Sequence, residues 1–371
     1  MARVITFGEI MIRMHMPEYL RFRQALPGAI DVTFAGAEAN VAVSIALMGG
    51  NAAFVTALPK HSIADACVGV LRNLGVDVSN IVRTDKGRLG IYFVEPGANQ
   101  RPSNVIYDRD YSSIAEESGT SYDWNRIFSG ASWFHITGIT PALSKNAADI
   151  SLEAVNAAKN MGLTVSCDLN FRKKLWRWEP GTGPNALAEK TMSKMLPFVD
   201  LLIANEEDVQ DVLGIKVDAV NTDSGDIDVQ IFPGLARKLK AQYPNLKKIA
   251  FTLRESVSAT HNNWGGILYD AASDTAHFAP LEDGVYTPYQ IRAIVDRIGG
   301  GDSFTAALIH ALSDESLKQQ KDAAANPDAF AVAFAAAASC LCHSIKGDFN
   351  FSGREEILAL MKGKTSGRIV R

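Results

Sequence analysis

The chain of 371 residues is 47% hydrophobic and 21% charged, ordinary proportions for a globular protein able to bury a sizeable core. A net charge of −4 excludes a basic footprint for nucleic acid, and no run reaches the ~18 uninterrupted apolar residues that a membrane span requires. Cys67, Cys167, Cys340 and Cys342 are too few and scattered for a disulfide framework, and the first residues enter a strand pattern without a leader's apolar region, so a cytoplasmic location is expected.

Short apolar runs alternate with helix-period stretches along most of the sequence. Residues 4–7 read as a strand, 38–48 as a helix closed by Gly49-Gly50, 52–56 as a strand, and 63–74 as a helix ended by Gly75, before a short strand at Ile81-Val82. Segments 13–34 and 89–110 break this rhythm. The first has no helical pattern and contains Pro17 and Pro27; the second alternates like antiparallel strands around Pro96-Gly97. The two could pair as a small β lid over the carboxyl ends of the main strands, where open α/β sheets bind ligands. Two surface hairpins without a gating role are the alternative.

The rhythm resumes with a strand over 132–136, a helix over 145–160, strands over 163–167 and 201–204, helices over 205–213 and 232–241, and strands over 248–253 and 266–269. Such alternation predicts an α/β fold with a mostly parallel sheet covered by helices on both faces. The polar stretch 217–230 reads as a surface insertion and 362–371 as a loosely ordered tail. The alanine-rich run 322–338 suits a tightly packed helix beginning near Pro327. Cys340 and Cys342 near its end cannot share one helical face, so buried thiols are expected there in preference to a metal site with His343.

The run Asp296-Arg297-Ile298-Gly299-Gly300-Gly301-Asp302-Ser303-Phe304 carries the most information. It ends a β-like stretch and opens an apolar helix over 305–312. Three glycines leave backbone N–H groups unshielded at a helix N-terminus, where unpaired donors and the macrodipole favour anionic oxygen. A carboxylate beside bound phosphate is a poor choice unless it takes a proton from an attacking hydroxyl, so the combination points to phosphoryl transfer to an alcohol. A plain turn with Asp302 capping the helix is the alternative. The run has neither the Lys-Ser/Thr ending of a Walker loop nor the G-x-G-x-x-G spacing of a dinucleotide site.

This run resembles the D-T-x-G-A-G-D-x-F signature of the ribokinase-like (PfkB) carbohydrate kinases, matching it at Asp296, Gly299, Gly301, Asp302 and Phe304 and departing at Arg297 and Gly300. Ala35-Gly36-Ala37-Glu38-Ala39-Asn40-Val41-Ala42 is similar to the family's G-G-x-x-x-N-x-A segment, with Ala35 in place of the first glycine. The resemblance covers nearly the whole chain and implies one ribokinase-like domain over 1–371, with a lid from about 13–34 and 89–110. It implies Asp302 as catalytic base and Gly299, Gly300 and Gly301 as the anion hole. That fits a reaction which needs chiefly in-line placement and charge stabilisation. Asp296 would lie near the phosphates or a monovalent cation such as K+.

Asn205-Glu206-Glu207-Asp208 resembles the family's N-x-x-E motif, which organises Mg2+ and the phosphates of ATP, with Asp208 in place of Glu; ordinary helix capping is the alternative. Over 252–257 the family's T-x-G-x-x-G has lost both glycines, to Arg254 and Val257. Thr252, Arg254 and Ser256 are the nucleotide-side candidates there, Arg254 through its planar donor fork. Gly347-Asp348-Phe349-Asn350 stands where the family closes around the nucleotide, with Asn350 the candidate contact.

On the acceptor side, Asp168-Leu169-Asn170-Phe171-Arg172, continued by Leu175-Trp176, resembles the D-x-N-x-R-x-x-L-W segment of 2-keto-3-deoxygluconate kinases and some fructokinases. Tyr107-Asp108-Arg109 resembles the Y-x-R element of the sugar-acid kinases. Two arginines in one pocket suit a substrate bearing a carboxylate. Arg109 pairing with Asp108 or Asp110, and Arg172 holding phosphates, are the plainer readings. The candidate substrate contacts are therefore Gly36, Ala37, Asn40, Tyr92, Tyr107, Arg109, Asn170, Arg172 and Asp302. The expected activity is ATP-dependent phosphorylation of the terminal hydroxyl of a sugar acid. A ketose or deoxy-sugar kinase is the alternative within the class, and a non-catalytic sugar- or nucleotide-binding regulator the alternative outside it. A dimer or higher homo-oligomer is the expected assembly.

Overall fold

The computed structural model describes residues 2–216 and 229–363. The expected insertion at 217–230 lies outside them but for its last two residues, as does the tail 362–371 but for its first two. The chain opens with β1 (Arg3–Phe7), β2 (Met11–His15), β3 (Asp31–Ala35), α1 (Ala37–Leu47), β4 (Asn51–Val55) and α2 (Ser62–Asn73). β5 (Gly90–Glu95), β6 (Asn104–Asp108), β7 (Trp133–Thr137), α3 (Lys145–Asn160) and β8 (Thr164–Asp168) follow. Then come α4 (Pro184–Met195), β9 (Leu201–Ala204), α5 (Glu206–Leu213) and α6 (Ile231–Gln242). The last part holds β10 (Lys248–Ser258), β11 (His261–Asp270), β12 (Thr275–Ala279), β13 (Tyr289–Ile291), α7 (Gly300–Ser313), α8 (Pro327–Cys342) and α9 (Arg354–Met361).

The central sheet runs in the order β12-β11-β10-β9-β8-β7-β1-β4, with β13 added to β11. Every pair from β4 to β10 is parallel, and β11 is antiparallel to its three neighbours. A parallel sheet between helix layers must bury both faces, which is why its strands read as continuous apolar runs. Alternate residues of β1 serve two cores. Val4 packs in the core of Phe54, Ile203 and Phe304, while Ile5 and Phe7 join Phe134, Val165 and Phe251 on the opposite side. Asn326 caps α8, Pro327 opens it, and its alanines pack in one core with the apolar residues of α7. No helix among the described residues is long and apolar enough to cross a membrane.

Segments 13–34 and 89–110 supply most of a separate four-stranded sheet, ordered β3-β2-β5-β6 with β2 and β5 parallel. Between β2 and β3, Phe22–Ala25 forms a single helical turn in a segment without helical periodicity. Several boundaries differ from the sequence reading, among them that of β11, which begins at His261 and not at 266. β10 continues past Leu253 to Ser258 because β11 pairs with it throughout. α7 begins at Gly300 instead of 305, since a first helical turn tolerates glycine where the N–H groups have no helical acceptor anyway. The β-like stretch before it ends at Ile291, and residues 292–299 are irregular.

Candidate active site

The tips of β8, β9 and β10, the start of α7 and the inner face of the four-stranded sheet enclose a cavity of about 740 Å³. It lies where a parallel sheet presents its carboxyl ends, with unpaired backbone groups and loop side chains. Asp302 stands in the first turn of α7 and faces this cavity. Nδ2 of Asn40 donates to its Oδ2 at 2.7 Å. Asn40 is aimed in turn by Gly36, whose N–H donates to Asn40 Oδ1 at 3.2 Å. Only glycine fits at 36, because a Cβ there would lie 2.0 Å from the Glu9 carbonyl oxygen. Ala37 lines the cavity beside it. Burial pushes the Asp302 carboxyl up to about 7; the Asn40 bond opposes this and the Asp348 charge adds to it. A carboxylate of that basicity, facing open space, is equipped to accept a proton near neutral pH.

The three glycines before it are required for different reasons. Gly299 caps α7 at φ +86°, and a Cβ there would sit 2.3 Å from the Asp348 carbonyl oxygen. At Gly300 the Cβ would meet the His343 ring at 2.8 Å. At Gly301 no packing atom comes within 4 Å, so the space beside it belongs to the cavity. Ser303 N–H bonds the Gly299 carbonyl at 2.8 Å, whereas the N–H groups of the first turn have no helical acceptor. The result is a set of preorganised donors next to a base.

A second group of acids gathers at the tips of β8 and β9. Burial, together with the Asp208 and Asp302 charges, holds the Asp168 carboxyl well above the usual range. Burial pushes Asp208 up to about 6, opposed by the Arg172 guanidinium. Asn205 Oδ1 accepts the Asp208 N–H at 2.7 Å, and Asp208 Oδ1 accepts the Phe171 N–H at 3.2 Å. Capping and cavity lining are thus both true of Asn205 and Asp208. Asn170, at φ +38°, donates its N–H to Asp168 Oδ1 at 3.1 Å. Arg172 is exposed, donates to the Phe171 carbonyl at 3.0 Å, and acts electrostatically on Asp168, Asp208 and Asp302 together.

Tyr92 and Tyr107, from β5 and β6, and Arg109 just beyond β6 close the opposite wall. Arg109 is buried, and its Nε donates to Glu9 Oε2 at 2.7 Å. Neither neighbouring acid is its partner, since Asp108 pairs with Arg88 and Asp110 with Arg177. The Arg109 guanidinium lies 5.4 Å from the centre of the Tyr107 ring, and the Tyr92 hydroxyl donates to Asp348 Oδ2 at 2.7 Å. Along β10, Thr252, Arg254 and Ser256 occupy alternate positions and all line the cavity, while Leu253 between them is buried in the core.

Two expected site residues do not reach the cavity. Asp296, the expected metal or phosphate neighbour, is buried and ion-paired to Arg13 from β2, because the lid strand brings a guanidinium to it. Asn350, the expected nucleotide contact, is buried with Nδ2 donating to Ser303 Oγ at 2.6 Å and to the Ala338 carbonyl at 3.0 Å. Its Oδ1 accepts the Ser352 N–H at 2.9 Å, so its polar side chain fastens the C-terminal segment to α7 and α8. The sequence reading gave no role to Glu9, Arg13 or Glu38. Glu38 accepts from the hydroxyls of Thr137 at 2.7 Å and Thr140 at 2.9 Å, tying α1 to the tip of β7. A glutamate inside an otherwise apolar helical run is the signal that marks it.

A family model described as pfkB family carbohydrate kinase matches residues 1–229. The chain belongs to the pfkB family of carbohydrate kinases. This pfkB kinase is 30% identical over 368 residues to the 2-dehydro-3-deoxygalactonokinase of Haloferax volcanii, covering 99% of this chain and 98% of that one. It is 27% identical over 324 residues to Fructokinase-1 of Oryza sativa subsp. japonica, covering 86% of each. The crystal structure of the 2-dehydro-3-deoxygluconokinase of Thermotoga maritima matches it with a TM-score of 0.85 and 42% identity over 98% of this chain and 100% of that one. As a pfkB kinase it is a phosphotransferase, and its α/β fold is the ribokinase-like one.

Proposed function

We propose that this enzyme transfers the γ-phosphoryl group of ATP to the terminal hydroxyl of 2-keto-3-deoxygluconate, giving the 6-phosphate. The observation that carries the reading is one cavity that holds Asp302, its carboxyl pushed up to about 7, the open side of Gly301 and two arginines, Arg109 and Arg172. A substrate carboxylate gives the buried Arg109, held from behind by Glu9, a charged partner that a neutral hexose lacks, while Arg172 is left for the phosphates. The names of the relatives from Thermotoga maritima and Haloferax volcanii support a keto-deoxy sugar acid as acceptor.

In this mechanism an Asp302 carboxylate oxygen takes the proton of the terminal hydroxyl as that oxygen attacks phosphorus. The amides of the glycine turn hold the charge that gathers on the transferring group, and need no reorganisation to do so. Arg172 offsets charge on the phosphates, and Thr252, Arg254, Ser256 and Asn205 line the nucleotide side. Tyr92, Tyr107 and Arg109 orient the acid, with Gly36, Ala37, Asn40 and Asn170 beside it. The four-stranded sheet acts as the lid that keeps water from the phosphorus. Asp208, with Glu206 and Glu207 beside it, suits Mg2+, which takes one or two carboxylates and completes its shell with waters and phosphate oxygens. When bound, Mg2+ shields the triphosphate charge.

The four cysteines are free, which fits a reducing cytoplasm. A dimer through the four-stranded sheet, where Val32 and Ile106 are exposed on its two outer strands, is the assembly this reading favours, and light scattering reads it directly. The activity is tested by coupled ADP release with 2-keto-3-deoxygluconate, its galactonate-derived epimer, fructose and ribose. Turnover with the two acids far above the neutral sugars is expected. Turnover confined to fructose would make it a ketose kinase instead.

A further inference from the structure

Arg13 is only 1% exposed, and its guanidinium is divided between two acids, Nη2 on Asp296 Oδ2 and Nη1 on Asp348 Oδ1. Its Nε–H is buried without an acceptor, so these two carboxylates alone hold it. Taking any one of the three charges out of water by itself would cost several kcal/mol, so they are stable only together. Although burial opposes its charge, Asp348 and Asp296 hold Arg13 above the ordinary arginine value. His15, whose Nε2 is 4.0 Å from Asp296 Oδ2, is kept towards its neutral form by burial and by Arg13. The positive charge here is therefore that of Arg13.

All four carboxylate oxygens are already served. Asp296 Oδ2 takes Arg13 and the Gly347 N–H at 3.2 Å, and Oδ1 takes the Ile298 N–H at 3.2 Å. Asp348 Oδ1 takes Arg13 and Oδ2 takes the Tyr92 hydroxyl at 2.7 Å. An alkali cation drawn to either carboxylate would stand against the buried Arg13 guanidinium, a like charge that already occupies both acids. The residues around Asp296 therefore do not fit the monovalent cation that the family resemblance implied. The same two acids flank the glycine turn: Ile298 immediately precedes Gly299, and the Asp348 carbonyl is the atom a Gly299 side chain would strike, at 2.3 Å.

We infer that Arg13 is a built-in cation of the glycine turn, fixing the walls that aim its amides, so that the enzyme needs no monovalent cation. The inference rests on the kinase reading above, and Arg13 acts as a positioning residue. It also joins the lid sheet to the turn, because β2 carries the guanidinium.

The test titrates potassium into the wild-type enzyme with tetramethylammonium as the starting counter-ion, following both ADP release and melting temperature. Neither should change; a rise in rate within the range of about 5- to 150-fold typical of coupled sites would overturn the inference. In Arg13→Ala a fall in kcat on the order of tenfold or more is expected, partly restored by added guanidinium and better preserved in Arg13→Lys. A folded Arg13→Ala with wild-type kcat, or one that guanidinium leaves unrescued, would also overturn it. Should Arg13→Ala fail to fold, the wild-type titration decides alone. If no sugar is turned over, the kinase reading fails, and the melting temperature still reports on the cation: a rise with potassium counts against the inference, none supports it.

Discussion

Asn40 Nδ2 and Asp302 Oδ2 lie 2.7 Å apart although 262 residues separate them in sequence. The bond sets two properties of the base at once, its direction into the cavity and its proton affinity, because a donor to the ionised form lowers the pKa that burial raises. With the Asp302 carboxyl held up to about 7, kcat should rise with pH as that group loses its proton. Asn40→Ala removes the opposing donor and should move this limb to higher pH. Asp302→Asn should lower kcat by about 10²- to 10⁴-fold with ATP affinity kept. A pH–kcat profile of the three enzymes reads all of this, and an unmoved limb in Asn40→Ala contradicts the coupling.

The same burial has a cost in stability. The folded Asp302 carboxyl is raised to about 7 from the ordinary aspartate value of 3.8, so between these values the native state binds the extra proton. Its contribution to stability is complete below the lower value and is lost as pH rises through the higher one. Asp302→Asn removes that loss. Its melting temperature should exceed the wild type's by roughly 2–4 °C at alkaline pH, with the difference shrinking toward pH ~4, as scanning calorimetry at several pH values would show.

At the glycine turn, fold and function separate between neighbouring residues. Gly301→Ala meets no packing atom and adds helix propensity in the first turn, so the melting temperature should hold or rise. The new methyl projects into the phosphoryl space, and kcat should fall on the order of tenfold or more. Gly299→Ala, at φ +86° and against the Asp348 carbonyl, should instead destabilise the fold outright. Thermal melts beside steady-state rates tell the two outcomes apart.

Arg109 has two duties that single substitutions confuse. Arg109→Leu strands the Glu9 carboxylate, one of whose oxygens is already without a partner, and should cost about 3–5 kcal/mol of stability as well as raising the acceptor KM. The double variant Arg109→Leu/Glu9→Gln should recover stability while the KM for the sugar acid stays high. Denaturant melts and acceptor titrations of both enzymes decide whether the guanidinium serves the substrate or only the pair.

Asn350 should behave as a fastening. Asn350→Ala leaves buried partners of Ser303, Ala338 and Ser352 unsatisfied, at about 1–3 kcal/mol each. Stability should drop while the KM for ATP stays near the wild-type value; a large rise in that KM would return Asn350 to the nucleotide site.

The sequence by itself determined the alternation of strands and helices, and with it the parallel sheet, because burial on both faces writes continuous apolar runs that need no partner to be read. It also marked Asp302 and its glycines, since a triple glycine beside an acid at a helix start is costly without a use. Folding decided the pairings of charge: Glu9 with Arg109 across 100 residues, and Arg13 with Asp296 across 283. Local spacing carries no record of such partners. A buried ion finds its counter-charge wherever the chain brings one into the same dry volume, and that volume exists only once the sheet, the lid and the C-terminal helices have closed around it.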